Sequence, residues 1–214
     1  MRKLVVGTFL TVDGVMQAPG GPDEDREGGF AHGGWSVNYW DEVMGQTIVG
    51  QTLQAGALLL GRKTYEIFAA HWPHVSDDDP IAAKLNSMPK YVASRTLGEV
   101  TWNNSTLLKG DVADAVAKLK DQPGGEIQVH GSGDLIQTLI EQGLVDEYRL
   151  WVFPVVLGEG KRLFAGGAVP AALKLVDTKT SSTGVAIHTY ERAGVIEYGS
   201  FAVDEQGETA ALWT

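Results

Sequence analysis

The chain has 214 residues, of which 43% are hydrophobic and 21% charged, and these values predict one globular domain over residues 1–214. It has no cysteine, which excludes a catalytic thiol, thiolate zinc ligands and iron–sulfur clusters. Its 27 acidic and 17 basic residues give a formal net charge of -10, so nucleic acid and anionic membrane surfaces are poor partners. With no recognisable export signal and no apolar run near the roughly 20 residues that span a bilayer, we expect a cytoplasmic protein.

The first quarter of the chain is predicted to hold a strand, a long loop and a helix. Residues 3–12 are apolar and β-branched, which predicts a buried strand. Residues 13–34 are rich in glycine, and a loop of this length is usually functional or disordered. Apolar residues at helical spacing then predict a helix from Ser36, as its N-cap, to Leu53.

Predicted strands and helices alternate in the middle of the chain, and strands alone follow at the end. The predicted strands are 57–60, 90–94, 106–108, 126–130 and 145–156, and the predicted helices are 64–70, 81–86, 111–119 and 134–142. Three further strands are predicted over 173–180, 185–191 and 195–203. Alternation favours parallel pairing and successive strands favour antiparallel pairing. We therefore expect an α/β fold with a mixed, mainly parallel sheet, flanking helices and antiparallel C-terminal strands.

A glycine turn joins the predicted strand 126–130 to the helix that follows it. Gly131, Ser132 and Gly133 form this turn. Glycines let the backbone approach a ligand closely, and the first amides of a helix are unpaired donors at its positive end. Such a turn suits a pyrophosphate, and a tight turn without any ligand is the alternative. The full dinucleotide fingerprint is missing, because Ile136 stands where the third glycine would be.

Two other predicted strands end in groups that favour an anion. Gly61, Arg62 and Lys63 follow the strand 57–60 and put cations where a helix begins, a place that usually prefers acidic side chains. Ser94 and Arg95 end the strand 90–94 with a hydroxyl and a fork of donors that suit a phosphate. Simple solvation is the alternative at both places. Since ligands of open α/β sheets bind at the carboxyl ends of strands, the three turns are expected to face one crevice.

In this order, these segments resemble the dihydrofolate reductase superfamily. The resemblance is closer to the branch that includes the C-terminal reductase domain of the bifunctional riboflavin-biosynthesis enzyme, and it covers almost the whole chain. GRKTYE at 61–66 and the glycine turn are its specific parts, while VDG at 12–14 and PVVLGEGKRLF at 154–164 favour the riboflavin-type branch. The resemblance implies a dihydrofolate reductase-like fold and an NADPH-dependent reductase. Its implied reaction is hydride transfer to a small heterocycle, such as 5-amino-6-(5-phosphoribosylamino)uracil.

The resemblance also implies which residues bind NADPH. They belong to the turn at the adenosine ribose, the turn at the 2′-phosphate and the turn at the pyrophosphate. In that order they are Gly61, Arg62 and Thr64; Ser94 and Arg95; and Gly131, Ser132 and Gly133, with Asp134 and Leu135 at the start of the next helix. In the family a cis peptide bond joins two residues of the last turn, and the counterpart here is Gly131–Ser132.

The residues expected to contact the substrate differ from those of these relatives. Folate reductases place an acidic residue on the first long helix, and neither Asp41 nor Glu42 aligns with it, so a true dihydrofolate reductase is less favoured. The riboflavin-type enzymes bind a ribose phosphate, for which this chain offers Arg26, His32 and Lys161 as loose candidates.

Four other positions are candidates for the reaction site. Asp13 is either a catalytic carboxylate, in contact with the substrate or relaying a proton, or a turn residue that closes the first strand. The candidate substrate-pocket residues are Trp40, Phe153 and Gly158, and aromatic residues of this kind are more often plain core. Trp35 and Tyr39 are further candidates for the wall of the substrate pocket.

The sequence also gives expectations about metal binding, partners and the class of function. His71 and His74 lie in a polar loop without a metal-binding helix, so we expect no metal. A small-molecule substrate and a homodimer are expected, and Leu212 and Trp213 of the tail could dock on a neighbouring chain. The rival hypothesis is a non-catalytic protein that keeps the fold and binds a nucleotide or a partner.

Overall fold

A mixed sheet forms the framework of the protein in the computed structural model, which describes residues 1–164 and 169–199. Its strands are β1 (Leu4–Thr11), β2 (Ala55–Gly61), β3 (Lys90–Ala93), β4 (Ser105–Leu108), β5 (Glu126–His130), β6 (Glu147–Phe153), β7 (Leu173–Thr180) and β8 (Ala186–Arg192). The order is β4-β3-β2-β5-β1-β6-β8-β7. Pairing is parallel from β4 to β6 and antiparallel in the last two pairs. The predicted fold class is therefore confirmed.

Helices cover both faces of this sheet. They are α1 (Glu42–Gln54), α2 (Arg62–His71), α3 (Pro80–Ser87), α4 (Val112–Lys120) and α5 (Gly133–Glu141). Alternate residues of β2 point to opposite faces, as a pleated strand requires. Leu59 packs in the cluster that contains residues of α4 and α5, whereas Leu58 and Leu60 pack in the cluster with residues of α2 and α3. In the part of the chain that the structure describes, none of the helices has the length and apolar character needed to cross a membrane.

The helix predicted from Ser36 begins later, at Glu42. The carboxylate of Asp41 accepts a hydrogen bond from the Met44 amide at 2.9 Å and caps α1. Residues 37–39 form a separate 3₁₀ turn, and Trp40 between the two is extended. The predicted N-cap is therefore wrong. Both residue types cap helices well, and a tertiary contact favours the aspartate, because its second oxygen accepts from the Ser182 amide at 2.6 Å.

Two predicted strands near the end of the chain are shorter than expected or missing. The strand predicted over 145–156 ends at Phe153, since Pro154 has no amide hydrogen for the ladder. Residues 195–199 form no strand, and Val195 and Tyr198 are each 85% exposed, so the described residues bury neither of them. The rest of that predicted strand, 200–203, and the tail with Leu212 and Trp213 lie outside the described residues.

The long loop after β1 folds back against a later segment. Val15 forms an antiparallel bridge with Arg162, and the Met16 amide donates to the Lys161 carbonyl at 2.8 Å. Trp35 donates from its indole to the Gln17 carbonyl at 2.8 Å. These bonds hold the loop beside the carboxyl ends of the central strands.

Candidate cofactor and substrate site

A cavity of about 1560 Å³ opens at the carboxyl ends of β2, β3, β4 and β5. The ten residues predicted to bind the cofactor all lie on its wall. They come from the turns after β2, β3 and β5, which the parallel sheet brings to one edge. The structure thus gathers them in one place, as the three strand ends predict. We call this part of the cavity the cofactor wall: residues 61–64, 94–95 and 131–135.

Ser132 ties the turn after β5 to the turn after β2. Its hydroxyl accepts a hydrogen bond from the Gly61 amide at 2.9 Å and donates to the His130 carbonyl at 2.8 Å. Its amide donates to the Thr64 hydroxyl at 2.9 Å. A Cβ at Gly131 would lie 2.9 Å from that same Thr64 oxygen, so no side chain fits there. The two turns are therefore held side by side, with bare backbone facing the cavity.

The cis peptide bond expected at Gly131–Ser132 is absent, and the bond is trans. Both residues instead take left-handed conformations, with φ of 52° and 56°. This makes the turn with ordinary peptide bonds and avoids the roughly 2.5–4 kcal/mol that a non-proline cis bond costs. The Ser132 amide of this turn already donates to Thr64, so an anion would be held by the amides that follow it at the start of α5.

The two helices that begin at the cofactor wall lack side-chain caps. Aspartates cap the other three, whereas α2 and α5 have no side-chain hydrogen bond at their N-termini. The first amides of α2 and α5 are therefore donors without a capping side chain, at the positive ends of their helices. An anion on the cofactor wall would fill the place that an aspartate fills elsewhere.

Charges on the cavity wall are divided between two sides. Lys63, Lys161 and Arg162 lie toward the long loop, and each contacts a carboxylate at 3.5 Å or less. Arg62, Arg95 and Lys109 follow β2, β3 and β4, and none of them pairs with a carboxylate in the described residues. The Arg62 guanidinium donates only to the Thr96 hydroxyl, at 3.2 Å. The Ser94 hydroxyl accepts from the amides of Thr96 and Leu97, so its own hydrogen is left to donate.

Sequence reasoning missed Lys109. It follows β4 as Arg62 follows β2, and the predicted strand 106–108 was the signal that could have found it.

Aromatic side chains line a second part of the cavity, between α1 and the sheet. Phe9, Trp40 and Trp151 form this aromatic wall, with ring centroids 5.4 to 5.9 Å apart. Trp40 is thus on the cavity wall, where the sequence predicts it. Phe9 and Trp151 were missed, although they are partners in the register of β1 and β6.

Phe153 and Gly158 do not line the cavity, although the Phe153 ring packs against Phe9 with centroids 5.4 Å apart. Phe153 is fully buried and packs edge-on against Trp35 and Tyr39, so these three aromatic residues form core. Gly158 donates its amide to the carboxylate of Asp13 at 2.8 Å and does not line the cavity.

Asp13 closes a turn in the structure. Its carboxylate accepts hydrogen bonds from the Thr11 hydroxyl at 2.6 Å and from the amides of Leu157 and Gly158. The Thr11 bond, with the two amide bonds, lowers the pKa of Asp13 to about 2. A carboxylate that is ionised, saturated with donors and off the cavity wall fits the turn interpretation better than the catalytic one.

The other acidic and basic candidates for the substrate end are already engaged. Asp41 caps α1, and the residues of α1 that line the cavity carry no carboxyl group: Gly45, Ile48, Val49, Gln51 and Thr52. Lys161 lies on the wall with its ammonium 2.5 Å from Asp25. Arg26 pairs with Asp23, and His32 lies 3.6 Å from Glu159. Three or more possible metal ligands do not come together anywhere in 1–164 or 169–199.

Two titratable groups on the cavity wall were not foreseen. Glu24 accepts a hydrogen bond from the Gly20 amide at 2.6 Å, and burial raises its pKa. His130 is the last residue of β5, and burial, with the charge of Arg149, lowers its pKa to about 4. The position of His130 directly before the glycine turn was the signal in the sequence.

Known proteins match this chain over most of its length. It is 34% identical over 198 residues to the uncharacterized protein YyaP of Bacillus subtilis (strain 168), across 90% of this chain and 96% of YyaP. A Shewanella sp. PV-4 protein, assigned provisionally to riboflavin biosynthesis, matches in structure with a TM-score of 0.67 and 22% identity, over 89% of this chain and 98% of that one.

A second solved structure supports the same fold. Dihydrofolate reductase from Enterococcus faecalis, complexed with NADP(H) and RAB-propyl, matches with a TM-score of 0.56 and 14% identity, over 89% of this chain and 96% of that one. The sequence model of the RibD C-terminal domain matches residues 2–187, so the chain belongs to the RibD C-terminal domain family.

Proposed function

We propose that this protein is an NADPH-dependent reductase that transfers hydride to a small heterocyclic substrate of the riboflavin-biosynthesis type. One observation carries the proposal. Two helix N-termini without side-chain caps, and three cations that have no carboxylate partner among the described residues, lie along one cavity beside a wall of aromatic rings. Reductases among the similar proteins support it, including one solved with NADP(H).

The cofactor wall has the donors that a phosphorylated dinucleotide needs. The amides that begin α5 and the bare backbone of Gly131 would hold the pyrophosphate. Arg62 at the start of α2 would contact the adenosine side. The hydroxyl of Ser94 and the guanidinium of Arg95 would contact the 2′-phosphate. Bound there, NADPH supplies the hydride.

The aromatic wall serves the other reactant. Hydride transfer needs positioning and exclusion of water more than it needs a nucleophile. Phe9 and Trp40 offer flat apolar surfaces against which a planar heterocycle can stack, and the buried Trp151, which is 1% exposed, packs against both of them. No carboxylate of α1 lines the described cavity, which argues against proton delivery of the folate-reductase type.

The first substrate to test is 5-amino-6-(5-phosphoribosylamino)uracil. Its ring suits the aromatic wall. Its phosphate is less well served, because Arg26, His32 and Lys161 already contact carboxylates. We therefore propose the heterocyclic part of this substrate and not its phosphate. The unphosphorylated nucleoside should be tested in the same assay.

Binding and turnover of NADPH test the proposal. NADPH should stabilise the protein against denaturation, by about 2.7 kcal/mol at 100 times its dissociation constant. Absorbance of NADPH should then fall when the aminouracil is added. Absence of stabilisation would refute the assignment of the cofactor. Stabilisation without oxidation of NADPH by any aminouracil or dihydropterin would favour the non-catalytic rival.

We also propose a homodimer that pairs through β7. This strand lies at the edge of the sheet, and all eight of its residues are exposed. Leu173, Leu175 and Val176 are apolar and between 37% and 52% exposed, which is unusual for an edge left open to solvent. Sedimentation equilibrium should give twice the chain mass, and Val176→Lys should give the monomer. A wild-type monomer would contradict this proposal.

A further inference from the structure

We propose that His130 is a specificity-determining residue of the cavity, whose Nδ1 accepts a hydrogen bond from an amide-type N–H of the bound ligand. This inference rests on the proposed function. Such a donor exists on two ligands of that reaction: the ring or amino N–H of an aminopyrimidine or pterin, and the carboxamide of nicotinamide.

The tautomer of His130 follows from its neighbour Gln128. The Gln128 side-chain nitrogen donates at 2.6 Å to the Gln51 carbonyl and at 2.6 Å to a carboxylate oxygen of Glu126. Both partners accept only, so they fix the orientation of this amide. Its oxygen therefore faces His130 Nε2 at 3.1 Å. An oxygen can only accept, so Nε2 carries the hydrogen and the neutral ring leaves Nδ1 with a lone pair.

A chain of ionic contacts holds Gln128 in place. Glu126 accepts two hydrogen bonds from the guanidinium of Arg149, at 2.8 and 2.9 Å. Arg149 in turn bonds Glu147 at 2.7 Å. Gln128 is itself 3% exposed, so an inverted amide would bury an oxygen against two other oxygens. The acceptor role of Nδ1 is thus imposed by the interior of the sheet.

The missing side chain of Gly7 opens the space in front of Nδ1. Gly7 on β1 is the register partner of His130 on β5. A Cβ built on Gly7 would lie 3.5 Å from both Nδ1 and Cε1 of His130, and both residues line the cavity. In the described residues Nδ1 makes no hydrogen bond. A lone pair that faces cavity space and has no internal donor is available to a ligand.

The ring is also neutral at physiological pH. Burial and the guanidinium of Arg149 lower the pKa of His130 to about 4, against a smaller opposing effect of Glu126. The tautomer argument concerns the neutral ring, and the neutral ring is the form present at neutral pH. A cationic imidazole would have no lone pair and would reject an N–H donor.

Nitrogen NMR of histidine in the full chain tests the proposal. The chain has five histidines, so one ¹⁵N-labelled sample and an H130N sample assign the signals of His130. We expect a protonated Nε2 and a bare Nδ1 in the free protein. The Nδ1 signal should then move upfield when a ligand donates to it.

Two additions separate the two sources of the donor. NADPH alone moves the Nδ1 signal if the carboxamide is the donor. With NADP⁺ already bound, 5,6-diaminouracil moves it if the heterocycle is the donor. A signal that moves with neither addition, or a protonated Nδ1 in the free protein, overturns the proposal. NADPH fluorescence in the same samples reports the cofactor affinity, so failure of the proposed function is seen separately.

Three variants measure how much the proposed contact contributes to the affinity for the ligand. His130→Leu removes the acceptor and should weaken the ligand that moved the signal by up to about 10-fold, the range of one hydrogen bond. His130→Asn keeps an acceptor near the position of Nδ1 and should retain most of the affinity. Gly7→Ala leaves His130 and its partners intact, and its methyl makes an ordinary contact at 3.5 Å that fills the space the donor needs. Unchanged affinity in Gly7→Ala would overturn the proposal even if His130→Leu failed to fold.

Discussion

The contact proposed for the 2′-phosphate gives the most direct test of the cofactor assignment. Arg95 follows β3, lies on the cavity wall and makes no hydrogen bond or ion pair within the described residues. Its removal therefore breaks no hydrogen bond or ion pair of the described residues, and we expect Arg95→Ala to unfold at the same denaturant concentration as the wild type. The loss should appear only when the ligand carries the 2′-phosphate.

The expected size of this loss follows from the exposure of Arg95. A hydrogen bond to a charged group contributes about 1.5–3 kcal/mol. Arg95 is exposed, and water and salt screen an exposed charge, so the lower end applies. Since every 1.4 kcal/mol is a factor of ten, the affinity for NADPH should fall about 10-fold. The affinity for NADH, which lacks this phosphate, should be unchanged, and the difference should shrink as the salt concentration rises.

Arg192→Ala is the matched control, because it removes the same side chain and the same charge. Arg192 ends β8, lies off the cavity wall and, among the described residues, bonds only the Gly143 carbonyl, at 2.7 Å. Both affinities would be measured by fluorescence titration at two salt concentrations. If Arg95→Ala loses no more NADPH affinity than Arg192→Ala, or loses NADH affinity equally, the 2′-phosphate lies elsewhere.

Three other expectations probe the turns and the substrate end. Ser132→Ala breaks the hydroxyl bond that ties the turn after β5 to Gly61 of β2 and the hydroxyl bond to the His130 carbonyl, so denaturant unfolding should show a loss of about 1–3 kcal/mol; an unchanged midpoint would contradict it. The Asp13 carboxylate has a pKa of about 2 in the folded protein against 3.8 for an unperturbed aspartate, so it stabilises the fold above pH 3.8 and less as the pH falls toward 2. The stability difference between the wild type and Asp13→Asn should shrink over that pH range, and a constant difference would refute the turn role. Because Lys161 already pairs with Asp25 and Glu27, ribosylaminouracil and its 5′-phosphate should bind alike; a clear gain from the phosphate in calorimetry would show that these pairs open.

The cofactor wall was predictable because its signals are local. Each of its turns is a short run of residues in which an apolar strand ends in glycine, serine or arginine. The parallel sheet then brings the three turns to one edge. The helix predicted over 111–119 depends on local signals in the same way, and Asp111 caps it by accepting from the Asp114 amide at 3.0 Å. Such features depend on neighbours in sequence and on strand direction alone.

The aromatic wall was less predictable because distant pairings decide it. Phe9 and Trp151 meet through the register of β1 with β6, which no local pattern reveals. Phe153 lies two residues beyond Trp151 and was preferred, yet it is enclosed by Trp35 and Tyr39. The same holds for the start of α1, where Ser36 was the predicted cap and Asp41 is the cap in the structure, because its second oxygen bonds Ser182 from a distant part of the chain.

The positions of the carboxylates explain how an acidic protein can have the proposed anion site. On the side of the long loop, carboxylates neutralise the wall cations: Glu27 and Asp25 contact Lys63 and Lys161. On the side of β2, β3 and β4, the described part of the wall has cations without such partners. The surplus of acid thus leaves positive charge at one end of the cavity. Positive charge attracts an anion to that end, whereas the aromatic wall suits an uncharged ring. This arrangement fits a phosphorylated dinucleotide beside a neutral heterocycle.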